Sequence, residues 1–305
     1  MIDRMIFPES LKHGDKVAIL SPSSYIDPSR VDGAVAALCE WGFEPVVAPH
    51  CKGRNGSYSG TVGERLADLQ WAVSEPSVRA ILCSRGGYGA VQLLPHVDLR
   101  PLLDEPKWVI GFSDISAIHA ALLSVGVASI HASMAKLLAE RGAGDSCSML
   151  LLDVLQGRLP HYNVASHPLN RRGEAVGMLV GGNLAVLSGL ISTPYDIFKP
   201  GRILFIEDIG EEVYKVERML HTLRLNGVLA GLQGLVVGRF TNYHSPDRNG
   251  ETMEQMISRM VEPYGYPVAF DFPLGHVDDN RPLIEGGMAR LSVGVSSVEL
   301  CHLGI

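Results

Sequence analysis

The sequence predicts an α/β fold with a parallel sheet covered by helices on both faces, in a chain long enough for two domains. Three observations carry this. Short apolar runs alternate with stretches of helical periodicity through the first half. That order breaks down between about Leu155 and Gly177, where Gly157, Pro160, Asn163, Pro168, Asn170, Arg171, Arg172 and Gly173 are concentrated. Alternation then resumes, and 305 residues suit two domains better than one. The expected division is residues 1–156, a linker at 157–176, and a second domain at 177–305.

The elements follow in order. Val17 to Leu20 is a short apolar strand that ends in Ser21-Pro22-Ser23. Val31, Val35, Leu38 and Cys39 mark one face of a helix that closes at Gly42. Phe43 to Ala48 reads as a strand, and Glu64 to Val73 as a helix stopped before Pro76. Arg79 to Cys83 is a strand running into Ser84-Arg85-Gly86-Gly87-Tyr88-Gly89. Trp108 to Gly111 is the next strand, and Ile115, Ile118, Leu122 and Val125 mark the helix after it. Beyond the linker come a strand at Ala175 to Val180, a Gly181-Gly182-Asn183 turn and a short helix through Leu190. Arg202 to Ile206 and Leu235 to Val237 read as strands. Val213 to Leu223 and Glu251 to Val261 read as helices, and the tail from Pro267 as strand and turn.

Composition removes several classes. Hydrophobic residues make up 46% and charged residues 19%, as in ordinary folded proteins. The formal charge is −7 and no Lys/Arg block stands out, so the chain carries no electrostatic footprint for nucleic acid. No apolar run approaches membrane-spanning length. The stretch from Met1 to Lys16 has no h-region, so no signal peptide is expected. The five cysteines are scattered, odd in number and form no Cys-x-x-Cys. These features together predict a cytoplasmic protein.

The most chemically suggestive segment is Gly111-Phe112-Ser113-Asp114. A serine wedged between a strand end and a helix start sits on a sharp turn. The amide after it lies at the helix N-terminus, where free N–H groups can stabilise an oxyanion. The plainer reading is that Ser113 or Asp114 caps the helix, since Ile115 stands where Gly-x-Ser-x-Gly would have its second glycine. A nucleophilic serine needs a base. His119, His131 and His276 are candidates, and spacing does not choose among them. His119 lies on an apolar helix face, as a core histidine would. Glu207 stands directly at a strand end, whereas Glu211 and Glu212 suit a helix N-terminus. Arg85-Gly86-Gly87 offers bare backbone amides, either for a tight turn or for an anion. It is neither Gly-x-Gly-x-x-Gly nor a P-loop, which disfavours a nucleotide-binding enzyme. His276, Asp278 and Asp279 lack a convincing metal-ligand spacing. A two-domain small-molecule binding protein without chemistry is the rival from another class.

Assembled in order, these segments resemble the LD-carboxypeptidases, serine peptidases that include murein tetrapeptide carboxypeptidase and microcin C immunity peptidases. The resemblance runs over nearly the whole chain. It rests on Ser21-Pro22-Ser23, Arg85-Gly86-Gly87-Tyr88-Gly89, Gly111-Phe112-Ser113-Asp114 and Gly181-Gly182-Asn183-Leu184. It continues through Phe205-Ile206-Glu207-Asp208-Ile209-Gly210-Glu211, Tyr214, Arg218-Met219-Leu220 and Gly275-His276. It implies a Rossmann-like N-terminal domain, a smaller α/β C-terminal domain and a homodimer. It also implies a Ser113–His276–Glu207 triad that releases D-alanine from a murein tetrapeptide with no metal or organic cofactor. The backbone N–H of Asp114 and one from Gly86 or Gly87 would form the oxyanion hole, and Arg85 would hold a substrate carboxylate. Two departures stand out: His131-Ala132-Ser133-Met134 replaces the family's usual His-Gly-Pro-Met, and Pro282-Leu283-Ile284-Glu285-Gly286 replaces Leu-Pro before a glycine. A peptidase acting on a peptide–nucleotide conjugate is the alternative within the family. Trp41, Trp71 and Trp108 all fall in the first domain, and the linker region offers only Tyr162 for stacking a base.

Overall fold

The computed structural model describes residues 5–245 and 250–304, so the first four residues of the charged N-terminal stretch and Ile305 lie outside it. The strands in chain order are β1 (Lys16–Leu20), β2 (Glu44–Val47), β3 (Val78–Cys83), β4 (Trp108–Gly111), β5 (Ser129–His131), β6 (His161–Ala165), β7 (Gly173–Asn183), β8 (Arg202–Ile209), β9 (Gly234–Thr241), β10 (Val268–Ala269), β11 (Leu283–Glu285), β12 (Met288–Val293) and β13 (Ser297–His302). The helices are α1 (Pro28–Glu40), α2 (Val62–Ser74), α3 (Pro101–Asp104), α4 (Ser116–Val125), α5 (Ala135–Arg141), α6 (Ser146–Leu155), α7 (Leu184–Ser188), α8 (Val213–Leu225), α9 (Val228–Gly231) and α10 (Met253–Val261).

The chain forms two compact units, Met1–Arg158 with Arg281–Gly286, and Leu159–Asn280 with Gly287–Ile305. This differs from the expected division in two places. The segment 157–176 contains β6, a strand of the second sheet paired to β13, and the first residues of β7. Its prolines and asparagines mask a short alternation in which Tyr162 is buried between exposed His161 and Asn163. Residues 281–286 return to the first unit, because β11 adds to its sheet antiparallel to β5.

The first sheet has the order β11-β5-β4-β3-β1-β2, and β2, β1, β3, β4 and β5 run parallel. The order reverses direction at β1, so the carboxyl ends of β1 and β3 flank a topological switch point, where α/β sheets place their sites. Local chemistry fixes the surrounding helices. Asp27 caps α1 by accepting from Ser29 N at 2.9 Å, with Pro28 in the first turn. Thr61 and Glu64 close a reciprocal capping box at the start of α2. The far end of α2 is finished by the buried Lys107, whose Nζ donates to Ala72 O and Val73 O at 2.9 Å each.

The second sheet has the order β10-β9-β8-β7-β12-β13-β6. Its β10, β9, β8 and β7 are parallel, and β12, β13 and β6 continue it antiparallel. The buried half reads as unbroken apolar runs, such as Ile203–Ile206 in β8, while β12 alternates buried and exposed positions. Gly181-Gly182-Asn183, expected as a turn, is the end of β7, in register with Phe205, Ile206 and Glu207 of β8. Among the described residues no helix is long and apolar enough to cross a membrane.

Candidate active site

Ser113 follows β4 and opens a single 3₁₀ turn that leads into α4. Its φ is +66°, a left-handed conformation that costs a residue with a side chain roughly 1–2 kcal/mol. Surrounding structure must impose it. Gly86, after β3, is pressed against this turn. A β-carbon on Gly86 would stand 2.9 Å from Ser113 Cβ, 3.0 Å from Ser113 Oγ and 3.3 Å from Asp114 N. Only a residue without a side chain permits that approach. Gly87 faces elsewhere: a β-carbon there would meet Ser24 Oγ at 2.2 Å. Of the two glycines singled out in sequence, Gly86 is the one against the serine.

Two buried ionisable side chains hold these loops together. Asp114 accepts from Ser23 Oγ at 2.6 Å and from Ala90 N at 2.8 Å through one carboxylate oxygen. It thereby ties the turn after β1 and the loop after β3 to the serine turn. Burial raises its pKa, and the two hydrogen bonds work against that rise. Arg65 of α2, 2% exposed, donates through one guanidinium nitrogen to Pro22 O at 2.8 Å and Gly89 O at 3.0 Å. Its Nε donates to Gly60 O at 3.2 Å. The sequence marks Asp114 as a helix cap or an oxyanion donor, whereas its side chain makes no cap hydrogen bond here and acts as a clamp, and Arg65 is given no role. The only signal for Arg65 is a charged residue on the apolar face of an amphipathic helix.

In the second unit, Glu207 is fully buried on β8 at a register shift in the β8–β9 ladder, between Ile206 and Asp208. Such irregularities re-aim a side chain. Its Oε2 lies 2.7 Å from His276 Nδ1, so the imidazole N–H donates to the carboxylate. The loop carrying His276 is fastened to the end of β9: Phe272 N donates to Val237 O at 3.1 Å, and Arg239 N to Leu274 O at 3.1 Å. Gly275 has a φ of +102°, and a β-carbon on it would stand 2.7 Å from Glu207 Cβ and 2.8 Å from Oε2. Its N–H donates to the buried Asn280 Oδ1 at 2.9 Å. Asp208, beside Glu207, points into a different network. It accepts from Asn183 Nδ2 at 2.9 Å and Ala185 N at 2.8 Å, and burial together with the Glu207 charge lifts its pKa to about 6.

The other sequence candidates resolve as follows. His119 is fully buried, and its Nε2–H donates to Gly111 O at 2.9 Å. Burial depresses its pKa to about 4, so it is neutral and serves to hold the end of β4. His131 is buried in β5 with its ring 5.8 Å from that of Phe112. Arg85 is half-buried and donates to Tyr25 O at 3.2 Å. Among the described residues no group of three His, Cys, Asp or Glu side chains could hold a metal ion. A strained, half-buried serine and a histidine oriented by a buried carboxylate are the parts that acyl transfer requires.

Residues 17–132 match the description "LD-carboxypeptidase N-terminal domain" and residues 176–291 match "LD-carboxypeptidase C-terminal domain". A probable murein peptide carboxypeptidase of Bacillus subtilis is 32% identical over 292 residues, covering 93% of this chain and 91% of its own. The murein tetrapeptide carboxypeptidase of Pseudomonas aeruginosa is 30% identical, covering 90% and 92%. The crystal structure of muramoyltetrapeptide carboxypeptidase from Oxalobacter formigenes superposes with a TM-score of 0.87 at 29% identity, over 95% of this chain and 99% of that one. By both halves of its sequence and by its fold, the chain belongs to the LD-carboxypeptidase family.

Proposed function

We propose that the protein is a cytoplasmic serine LD-carboxypeptidase that releases the terminal D-alanine of a murein tetrapeptide in cell-wall recycling, with Ser113, His276 and Glu207 as its triad. The observation that carries this reading is Ser113 itself. A serine held at φ +66° between strand and helix, with a glycine backbone against its Oγ, is costly as a cap and apt as a nucleophile. Relatives named as murein peptide carboxypeptidases supply the substrate class. None of the five cysteines is in a disulfide, which suits a reducing compartment. The family resemblance supports a homodimer.

In this mechanism Ser113 Oγ attacks the carbonyl carbon of the third stem residue. His276, oriented through Nδ1 by Glu207, takes the serine proton on Nε2. The carbonyl oxygen becomes an oxyanion that the N–H groups of Asp114 and Gly86 receive, each donor contributing about 3 kcal/mol to the barrier lowering. Collapse breaks the C–N bond as Nε2–H protonates the leaving D-alanine amine. Water then hydrolyses the acyl-serine by the same proton relay. The Glu207 carboxylate stabilises the imidazolium. Mass spectrometry of murein tetrapeptide incubated with the protein tests the reading. The expected product is the tripeptide plus one D-alanine, absent with Ser113→Ala. Any other cleavage, or equal turnover by that variant, overturns it.

A further inference from the structure

The first unit has a cleft of about 530 Å³ lined in part by Arg85 of the loop after β3, and its charge runs against that of the chain. Arg30, Lys52, Arg54, Arg85 and Lys136 line it with Asp27 as the one carboxylate, in a protein of net charge −7. Some of this charge is spent within the fold. Arg30 pairs with Glu140, Lys52 pairs with Asp32, and Lys136 Nζ lies 4.0 Å from Glu140. Arg54 and Arg85 are different. Among the described residues neither has a carboxylate within ion-pair distance. Arg54 is stacked over the Tyr25 ring at 4.1 Å, and Arg85 is held by the Tyr25 carbonyl at 3.2 Å. Both guanidinium planes are therefore anchored on one residue while their charge is left for something else. The cations also crowd one another: the Lys136 pKa is lowered by burial first, then by Arg85 and Arg30. An anion seated among them would relieve this repulsion.

Arg85 is the residue before Gly86, whose backbone lies against Ser113 Oγ. Arg85 is thus the cleft residue that joins this charge, along the chain, to the loop packed against the serine. We infer that the cleft is a carboxylate subsite, in which Arg54, Arg85 and Lys136 hold the side carboxylates of an anionic peptide and select charged over amidated substrates. This rests on the peptidase reading and specifies which peptides it concerns. Guanidinium groups bind carboxylates bidentately, so the preference falls on groups at fixed positions along the peptide rather than on overall charge.

The test is calorimetry with the full-length Ser113→Ala protein, which binds peptide without consuming it. The probes are a murein tetrapeptide and an analogue with its side carboxylates converted to amides and its terminal carboxylate intact. The carboxylate form should bind at least about tenfold more tightly than the amide form. Adding Arg54→Gln and Lys136→Gln, both at solvent-reached positions, should remove that difference while leaving amide binding within about twofold. Equal affinity for the two peptides, or an equal loss for both in the variants, overturns the proposal. Adenosine monophosphate binding more tightly than either peptide, and lost in the variants, also overturns it by assigning the cleft to a phosphate. Propane-1,2,3-tricarboxylate serves as a simple probe independent of peptide cleavage. Its weakened binding in the variants supports the carboxylate assignment even if the protein cleaves no tetrapeptide, and unchanged binding counts against it.

Discussion

Ser113 and Gly275 show how single residues set the chemistry here. The left-handed backbone at Ser113 is strain that a helix cap does not need, since capping residues adopt negative φ, −59° at Asp27 and −60° at Thr61. Two variants separate the roles. Ser113→Ala should keep the strain and lose the hydroxyl, lowering kcat by about a thousandfold or more. Ser113→Gly should lose activity equally but unfold at higher denaturant than Ser113→Ala, by roughly 1 kcal/mol, because glycine accepts φ +66° without cost. Identical stability of the two would show that the turn is unstrained. Gly275→Ala is the counterpart in the second unit. Its added methyl would meet Glu207 Cβ at 2.7 Å on a backbone with φ +102°, so the Glu207–His276 hydrogen bond must stretch or break. The expected result is a fall in kcat of about a hundredfold or more with a smaller change in KM, measured on the tetrapeptide. Wild-type kinetics in Gly275→Ala would mean that this pair does not act in catalysis.

At the level of elements, three loops at strand ends must keep register with one another, and Arg65 and Asp114 provide that. Removing the Arg65 guanidinium leaves the buried carbonyls of Pro22 and Gly89 without their donor. Arg65→Met should cost about 2–4 kcal/mol in denaturant unfolding and lower kcat/KM by tenfold or more, because Gly86 then drifts from Ser113. Retained stability together with retained activity would show that the loops hold without it. The sequence exposes some of this arrangement and hides the rest for a physical reason. Strand–loop–helix order around Ser113 is local, so periodicity and Gly111 reveal it. Glu207 stood out because a carboxylate at the end of an apolar strand has no local use. Ser23, Arg65 and Asn280 act through contacts made by chain folding, and although Ser23 lies in a turn and Arg65 on an apolar helix face, nothing local shows which partners they meet. The same holds for β6 and β11. Each is a few residues long and pairs with a strand more than a hundred residues away, so neither has a local signature. Helices α5 and α6 also lie where no element was assigned, although α6 carries a run of leucines.

For the molecule as a whole, buried histidines make stability depend on pH in a predictable direction. His119 in the first unit and His302 in the second both have pKa values pushed down to about 4 by burial. In the unfolded chain each titrates near 6.5. Between these values the unfolded state binds more protons than the folded one, so stability rises with pH across that window and is lost as pH falls from about 6.5 towards 4. Each histidine can contribute on the order of 3 kcal/mol to that loss. Asp208 acts in the opposite sense. Its folded pKa of about 6 lies above the ordinary carboxylate value, so its penalty is greatest at neutral pH and eases as pH drops below 6. The net curve therefore mixes opposed contributions, and a single substitution must isolate one of them. His119→Gln retains a side-chain donor for Gly111 O but does not titrate. Unfolding free energies of wild type and variant, measured in denaturant between pH 4 and 7, should diverge. The wild-type slope should be steeper by up to about 1.4 kcal/mol per pH unit near the middle of the window. Parallel curves would mean that His119 titrates in the folded protein as it does in the unfolded chain, contrary to its complete burial against the end of β4.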